Sequence, residues 1–279
     1  MIWTARQRQM LDAMGLRVWA PPPVAPVRPE PAAAETPAAA DRMRASVTSS
    51  RLSTAVPGVA PVPPVPTAPA GPAGPVAALD WPALREAVAG CRACGLCETR
   101  TQTVFGVGHP QAHWMVVGEA PGEQEDLRGE PFVGAAGQLL DRMLAALRLS
   151  RADDDADGAP AHRVFIANTL KCRPPRNRNP SPEELQRCEP FLMRQIELVK
   201  PRIILAMGAF AVKSLLRSDQ PVGRLRGQIH RYHGVPLVVT YHPAYLLRSP
   251  NDKARAWEDL CLAAQVVEQA AAHAAPGVA

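Results

Sequence analysis

Four short runs made almost wholly of apolar residues, alternating with segments of helical spacing, constrain this chain more than any other feature. The runs are Trp114-Met115-Val116-Val117, Val164-Phe165-Ile166-Ala167, Ile203-Ile204-Leu205-Ala206 and Leu237-Val238-Val239-Thr240. A strand covered on both faces needs apolar side chains at successive positions, whereas a half-exposed strand alternates, so these runs read as parallel strands. The helical patterns run from Leu139 to Leu147, Glu183 to Val199, Ala209 to Leu216 and Lys253 to Ala271. The second has a start signal: Ser181 as N-cap, Pro182 at the first helical position and Glu184 to complete a capping box. This alternation predicts an α/β fold, a three-layer α/β/α domain around a central four-stranded, mostly parallel sheet. In such sheets the ligand crevice lies beyond the carboxyl ends of the strands.

The folded part is expected over residues 79–272, opening with a helix whose inner face carries Trp81, Leu84 and Val88. Before it the composition changes. The chain has 31 prolines, and residues 21–78 are so rich in Pro, Ala, Val and Thr, and so poor in large apolar side chains, that they predict a disordered, semi-stiff linker. Residues 1–20 place Met10, Leu11, Met14 and Leu16 at helical spacing, which predicts a short amphipathic helix able to dock on the domain or on a replication or repair protein. Residues 273–279 read as a disordered tail. Neither a signal-peptide pattern nor a membrane-length apolar stretch is evident, so a cytoplasmic protein with no membrane partner is expected. A formal net charge of +5 suits a polyanionic partner without requiring one.

The residues at the strand ends carry the chemistry. Gly118-Glu119-Ala120-Pro121-Gly122 follows the first strand, Asn168 the second, Gly208 the third and Tyr241-His242-Pro243 the fourth. A carboxylate, a carboxamide and an imidazole are thereby expected in one crevice, among glycines and prolines that shape tight loops.

The chain has six cysteines. Cys91 and Cys94 form a C-x-x-C pair; Cys172 follows a strand, and Cys188 lies in the second turn of the capped helix. In a reducing compartment such thiols point to metal ligation more than to disulfides. Two pairs on separate elements can meet as a four-thiolate site for zinc or for an iron-sulfur cluster, and spacing alone does not choose. The second pair lacks zinc-ribbon spacing, which favours a cluster.

Several blocks, in order, resemble the family 4, iron-sulfur-containing uracil-DNA glycosylases of the uracil-DNA glycosylase superfamily. They are Cys91-x-x-Cys94-x-Leu96-Cys97-x-x-Arg100-Thr101, Val104-Phe105-Gly106-x-Gly108, Gly118-Glu119-Ala120-Pro121-Gly122-Glu123-x-Glu125-Asp126, Pro131-Phe132-Val133-Gly134-x-Ala136-Gly137-Gln138-Leu139-Leu140, Asn168-x-x-Lys171-Cys172-Arg173-Pro174-Pro175 and His242-Pro243-Ala244-Tyr245-Leu246-Leu247-Arg248. Glu119 argues against related glycosylases with an apolar residue there. The stretch from Arg173 to Pro180 lacks the Arg-Arg-Ile-His insert of relatives that crosslink to their product.

The resemblance implies a monomeric DNA-repair hydrolase that removes uracil from single- or double-stranded DNA, with one 4Fe-4S cluster on Cys91, Cys94, Cys172 and Cys188 and with Cys97 a bystander. It implies that Gly118, Phe132, Asn168 and His242 bind uracil, with Phe132 as a stacking face, Asn168 reading the base edge and His242 donating to O2. Glu119 and His242 are the implied catalytic residues. Glu119 would orient water or favour cationic character in the sugar; Ala120 stands where family 1 enzymes carry a water-activating aspartate. Glu125 and Asp126 fit a structural role. Tyr245, Leu246, Leu247 and Arg248 resemble the segment that wedges into the minor groove, with Arg173, Arg176 and Arg178 at phosphates. The alternative is a non-catalytic iron-sulfur DNA-binding or replication-associated module.

Overall fold

The computed structural model describes residues 75–152 and 160–274. The expected helix over 1–20, the linker up to residue 74 and the tail from 275 lie outside the described residues. Residues Pro75–Ala78, expected within the linker, form a 3-10 turn, and Val76 there packs on the apolar core. The first helix, α1 (Trp81–Ala89), starts where Asp80 Oδ1 accepts from the Ala83 N–H at 3.0 Å, and it buries Leu84 and Val88.

Beyond α1 the chain forms β1 (Val107–Gly108), β2 (Trp114–Gly118), α2 (Glu123–Arg128), α3 (Ala135–Ala146), β3 (Val164–Asn168), α4 (Pro182–Val199) and β4 (Ile203–Met207). It continues through α5 (Ala209–Leu216), α6 (Val222–Leu225), β5 (Ile229–Tyr232), β6 (Val235–Thr240), α7 (Pro243–Arg248) and α8 (Lys253–Ala274). Among the described residues the strands make one six-stranded sheet in the order β1-β3-β2-β4-β6-β5. The four inner strands are parallel; β1 and β5 pair antiparallel at the two edges.

The two edge strands enlarge the four-stranded sheet expected from the sequence. The first spans two residues, too short to leave a pattern. The second, Ile229-His230-Arg231-Tyr232, is mostly exposed and polar, as an edge position permits, and so lacks an apolar run. Helix α3 begins four residues before the expected Leu139, because Ala135-Ala136-Gly137-Gln138 offers no large apolar side chain to mark its first turn.

Successive residues of each inner strand point to opposite faces. Met115, Val117, Phe165, Ala167, Ile204 and Ala206 join one core with α1, α4 and α5; Trp114, Val116, Val164, Ile166, Ile203 and Leu205 join another with α3 and α8. This confirms the three-layer α/β/α arrangement. The expected capping box is also present: the Glu184 N–H donates to Ser181 Oγ at 3.2 Å, and the Ser181 N–H to Glu184 Oε2 at 2.8 Å. Ser181→Ala should lower the free energy of unfolding by about 1 kcal/mol in urea titration, and an unchanged curve would show that tertiary packing alone holds the start of α4.

Candidate active site

Register brings the strand ends level. Gly118 pairs with Asn168 across β2 and β3, and Met207 with Thr240 across β4 and β6, so Gly208 and Tyr241-His242 emerge side by side. Beyond these ends lies a cavity of about 710 Å³, lined among others by Glu119, Phe132, Asn168, Gly208, Tyr241 and His242. This volume falls within the usual range for small-ligand sites. Pro221 and the first turn of α6, Val222-Gly223, form a further wall, as does Phe210; neither sits in a motif with chemical character, so neither is legible in the sequence.

Phe132 is held under strain. Its φ of 56° is a left-handed conformation that bulky side chains rarely adopt, costing about 1–3 kcal/mol unless its surroundings over-determine it. Here they do. A Cβ on Gly118 would come within 2.6 Å of Phe132 Cζ, and one on Gly137 within 1.7 Å of its carbonyl oxygen, so both positions must lack a side chain. Glu125 Oε1 accepts from the Val133 and Gly134 N–H groups at 2.9 and 3.2 Å, fixing the start of α3. The Phe132 ring then lies 5.4 Å from the His242 ring, the planes 28° apart.

His242 is the N-cap of α7, and its Nδ1 accepts from the Ala244 N–H at 3.2 Å. In the neutral ring the proton is thereby assigned to Nε2, which becomes the ring's donor. Burial, helped by the Arg248 charge and opposed by Glu125, lowers its pKa to about 4. The imidazole is therefore neutral near pH 7.

Asn168 is 2% exposed, and its Oδ1 has no hydrogen-bond partner among the described residues. An orphaned buried acceptor is costly, by about 1–3 kcal/mol, and points to a group that arrives later. Its backbone carbonyl accepts from Lys171 Nζ at 2.9 Å, and Lys171 also donates to Gln195 Oε1 at 2.6 Å. Gln195 Nε2 in turn donates to the Phe105 carbonyl at 2.8 Å, closing a buried polar relay under the strand end. Burial brings the Lys171 pKa down to about 8.

Glu119 lines the cavity, and burial raises its pKa from the ordinary 4.5. Asp126, 3% exposed, spends both oxygens on the Thr101 N–H at 3.0 Å, so this carboxylate organises a loop. Of the segment expected to meet DNA, Tyr245 and Leu247 are exposed, and Arg248 lines the cavity rim. Leu246 requires a correction: it is wholly buried in the core with Leu140 and Met143, so only Leu247 of the adjacent leucines faces outward. Arg176 is exposed, whereas Arg173 is partly covered, donating to Asn177 Oδ1 at 2.8 Å with Glu123 at 3.8 Å. Arg178 grips the Glu184 carboxylate with both terminal nitrogens, and that pairing lowers the Glu184 pKa to about 2.

A second, smaller cavity is lined by Cys91, Cys94, Cys172 and Cys188, and by Cys97 as well. Arg100 reaches across it, donating from Nη1 to Cys172 Sγ at 3.1 Å and from Nη2 to the Cys91 carbonyl at 2.8 Å. The Lys171 N–H donates to Cys188 Sγ at 3.2 Å. Burial pushes the Cys188 thiol up to about 12 and raises that of Cys172. Among the described residues no three His, Cys, Asp or Glu side chains are grouped to hold a single metal ion. Cys261 packs on the opposite face of the sheet.

The depressed imidazole links His242 to stability. Below its ordinary pKa of 6.5 the unfolded chain takes up a proton that the folded chain refuses until about pH 4. Stability from the neutral ring is therefore full above the higher value and lost as pH falls toward the lower. Unfolding midpoints should decline over that window, and His242→Asn should make the decline shallower; matching slopes for both proteins would remove the assignment of a neutral buried ring.

Comparison with known proteins agrees with this geometry. The profile of the uracil DNA glycosylase superfamily matches residues 105–261. The type-4 uracil-DNA glycosylase of Archaeoglobus fulgidus is 42% identical over 172 residues, covering 59% of this chain and 81% of the relative. That of Pyrobaculum aerophilum is 41% identical over 192 residues, covering 66% and 93%. A type-5 uracil-DNA glycosylase of the same organism is 34% identical over 146 residues, covering 50% and 64%. With the strand-end cavity and its side chains in place, these matches show that the chain belongs to the uracil-DNA glycosylase superfamily, in its type-4 branch.

Proposed function

We infer that the chain hydrolyses the N-glycosidic bond of uracil in DNA and leaves an abasic site, the opening reaction of base excision repair. The observation that carries this is the unpartnered Asn168 carboxamide oxygen in the same cavity as a neutral, Nε2-protonated His242. A base is processed outside the stack, in a pocket that reads its edge. Asn168 supplies Oδ1 for the uracil N3–H and Nδ2 for O4; cytosine reverses both polarities and leaves the buried carboxamide unpaired. Phe132 presents a flat apolar face for stacking, and Gly118 leaves room for its ring and for the carboxamide.

Excision separates a uracil anion from a sugar that gains cationic character. His242 Nε2–H donates to O2 as charge accumulates there, a preformed dipole that needs no proton transfer. Glu119, a desolvated carboxylate lining the cavity, is assigned to the opposite charge: it orients the attacking water or stabilises the sugar cation. Ala120 cannot act as a base. Leu247 is assigned to fill the gap left by the base, with Tyr245, Arg248, Arg173 and Arg176 along the path of the strand.

We assign Cys91, Cys94, Cys172 and Cys188 to a 4Fe-4S cluster. The donor set fits: these four thiols share one cavity with Cys97, and the Arg100 guanidinium and the Lys171 N–H donate to the Cys172 and Cys188 sulfurs, offsetting part of the burial that disfavours their thiolates. A bound cluster would supply iron-thiolate bonds that cross-link the loop after α1, the loop after β3 and α4. The side chains assigned to excision lie in the other cavity. A cytoplasmic, monomeric protein fits the reducing compartment that such thiols require.

Incubation with a uracil-containing oligonucleotide followed by alkali should cleave the strand at uracil, and an intact strand at high enzyme concentration would reject this function. Asn168→Ala and His242→Ala should each lower turnover by about 100-fold or more while folding is kept. Wild-type rates in both would dismiss the assigned site. Purified protein should be brown and contain iron and inorganic sulfide in equal amounts; a colourless protein with stoichiometric zinc would overturn the cluster.

A further inference from the structure

Phe132 sits in a conformation its own side chain disfavours, so something must hold its backbone from behind the cavity. Glu125 does this for the two residues that follow it. The carbonyl groups of Pro131 and Phe132 are held instead by Arg151, a residue in none of the blocks that carry the family resemblance. Arg151 Nη1 donates to the Pro131 carbonyl and Nη2 to the Phe132 carbonyl, both at 2.8 Å. Its Nε donates to Asp141 Oδ1 on α3 at 2.7 Å, and Nη2 lies 2.6 Å from the same oxygen.

The fork is aimed from both ends. Asp141 fixes the guanidinium plane from the helix that Phe132 precedes. The backbone next to Arg151 is anchored at the start of β3: the Ser150 N–H donates to the His162 carbonyl at 2.9 Å, and the Val164 N–H to the Ser150 carbonyl at 3.0 Å. The Arg151 side chain is only 15% exposed, and it does not line the cavity that holds Asn168 and His242. A planar guanidinium can satisfy two successive carbonyls and a carboxylate at once, which the point charge of a lysine cannot reproduce.

We propose that Arg151 is a positioning residue for uracil excision: by gripping the carbonyls of Pro131 and Phe132 it sets the plane of the ring on which the extruded base stacks. The proposal rests on Phe132 being that stacking face. Arg151 touches neither base nor sugar, so its effect passes through Phe132 and disappears when that ring is removed.

The test is a double-mutant cycle on the full chain, read as single-turnover excision from a uracil oligonucleotide and as binding to an abasic oligonucleotide, which has no base to stack. Arg151→Gln should slow excision by about tenfold, as small misplacements of binding groups do, and leave abasic-site binding within about twofold. In a Phe132→Ala background the same change should have little further effect, the signature of two residues acting as one unit. Asp141→Asn, which loosens the fork without removing its charge, should reproduce a smaller loss with the same dependence on Phe132, and it carries the test if Arg151→Gln does not fold. Multiplicative losses in the double variant, or wild-type excision by the folded position-151 or position-141 variant beside an impaired Phe132→Ala, would overturn the proposal. Wild-type excision by Phe132→Ala would instead reject the stacking face and the proposal with it.

Discussion

A parallel sheet buried on both faces has no place for polar side chains except its ends, and the rest of this molecule follows from that constraint. Every inner-strand position from Trp114 to Val117, Val164 to Ala167 and Ile203 to Met207 is buried against one helical layer or the other. Polar chemistry begins where the strands stop. Because β2 pairs with β3 on one side and β4 on the other, the chain diverges at the carboxyl end of β2, and the crevice opens there. The Asn168 carboxamide, the His242 imidazole and the Glu119 carboxylate share a site because the register aligns their strands.

The site is stiff by construction. Fixed dipoles serve the proposed reaction only if they do not reorganise as charge moves, and the surroundings of three side chains in the cavity restrain them. His242 is locked by the Ala244 N–H, Asn168 is supported through its own carbonyl by Lys171, and Phe132 is held in a left-handed conformation by contacts on several sides. Strain at one residue is the local consequence: the ring reaches the cavity only if the backbone takes a shape that its neighbours enforce.

Lys171 and the residues around it join the two cavities. Its side chain supports the Asn168 carbonyl while its backbone N–H meets Cys188 Sγ, and the next residue is Cys172. The thiol-lined cavity and the strand-end cavity therefore share the short segment of residues 168–172 at and beyond the end of β3. Glu184 binds the segment from another direction, serving at once as the capping partner of Ser181 and the anchor of Arg178.

The sequence by itself determined the inner strands, the capped start of α4, the layered class and the residues at the strand ends, because each depends on local pattern: an apolar run, a cap or a motif of fixed spacing. The motifs also made the family legible. Tertiary structure decided what local pattern does not encode. The edge strands exist because neighbours offer them a partner, and Leu246 turns inward instead of Leu247 because α7 packs that face against the core. The contact of Arg151 with the Pro131 carbonyl exists only once the loop carrying Phe132 folds back on it, since a hydrogen bond across 20 residues leaves no periodic trace in the chain.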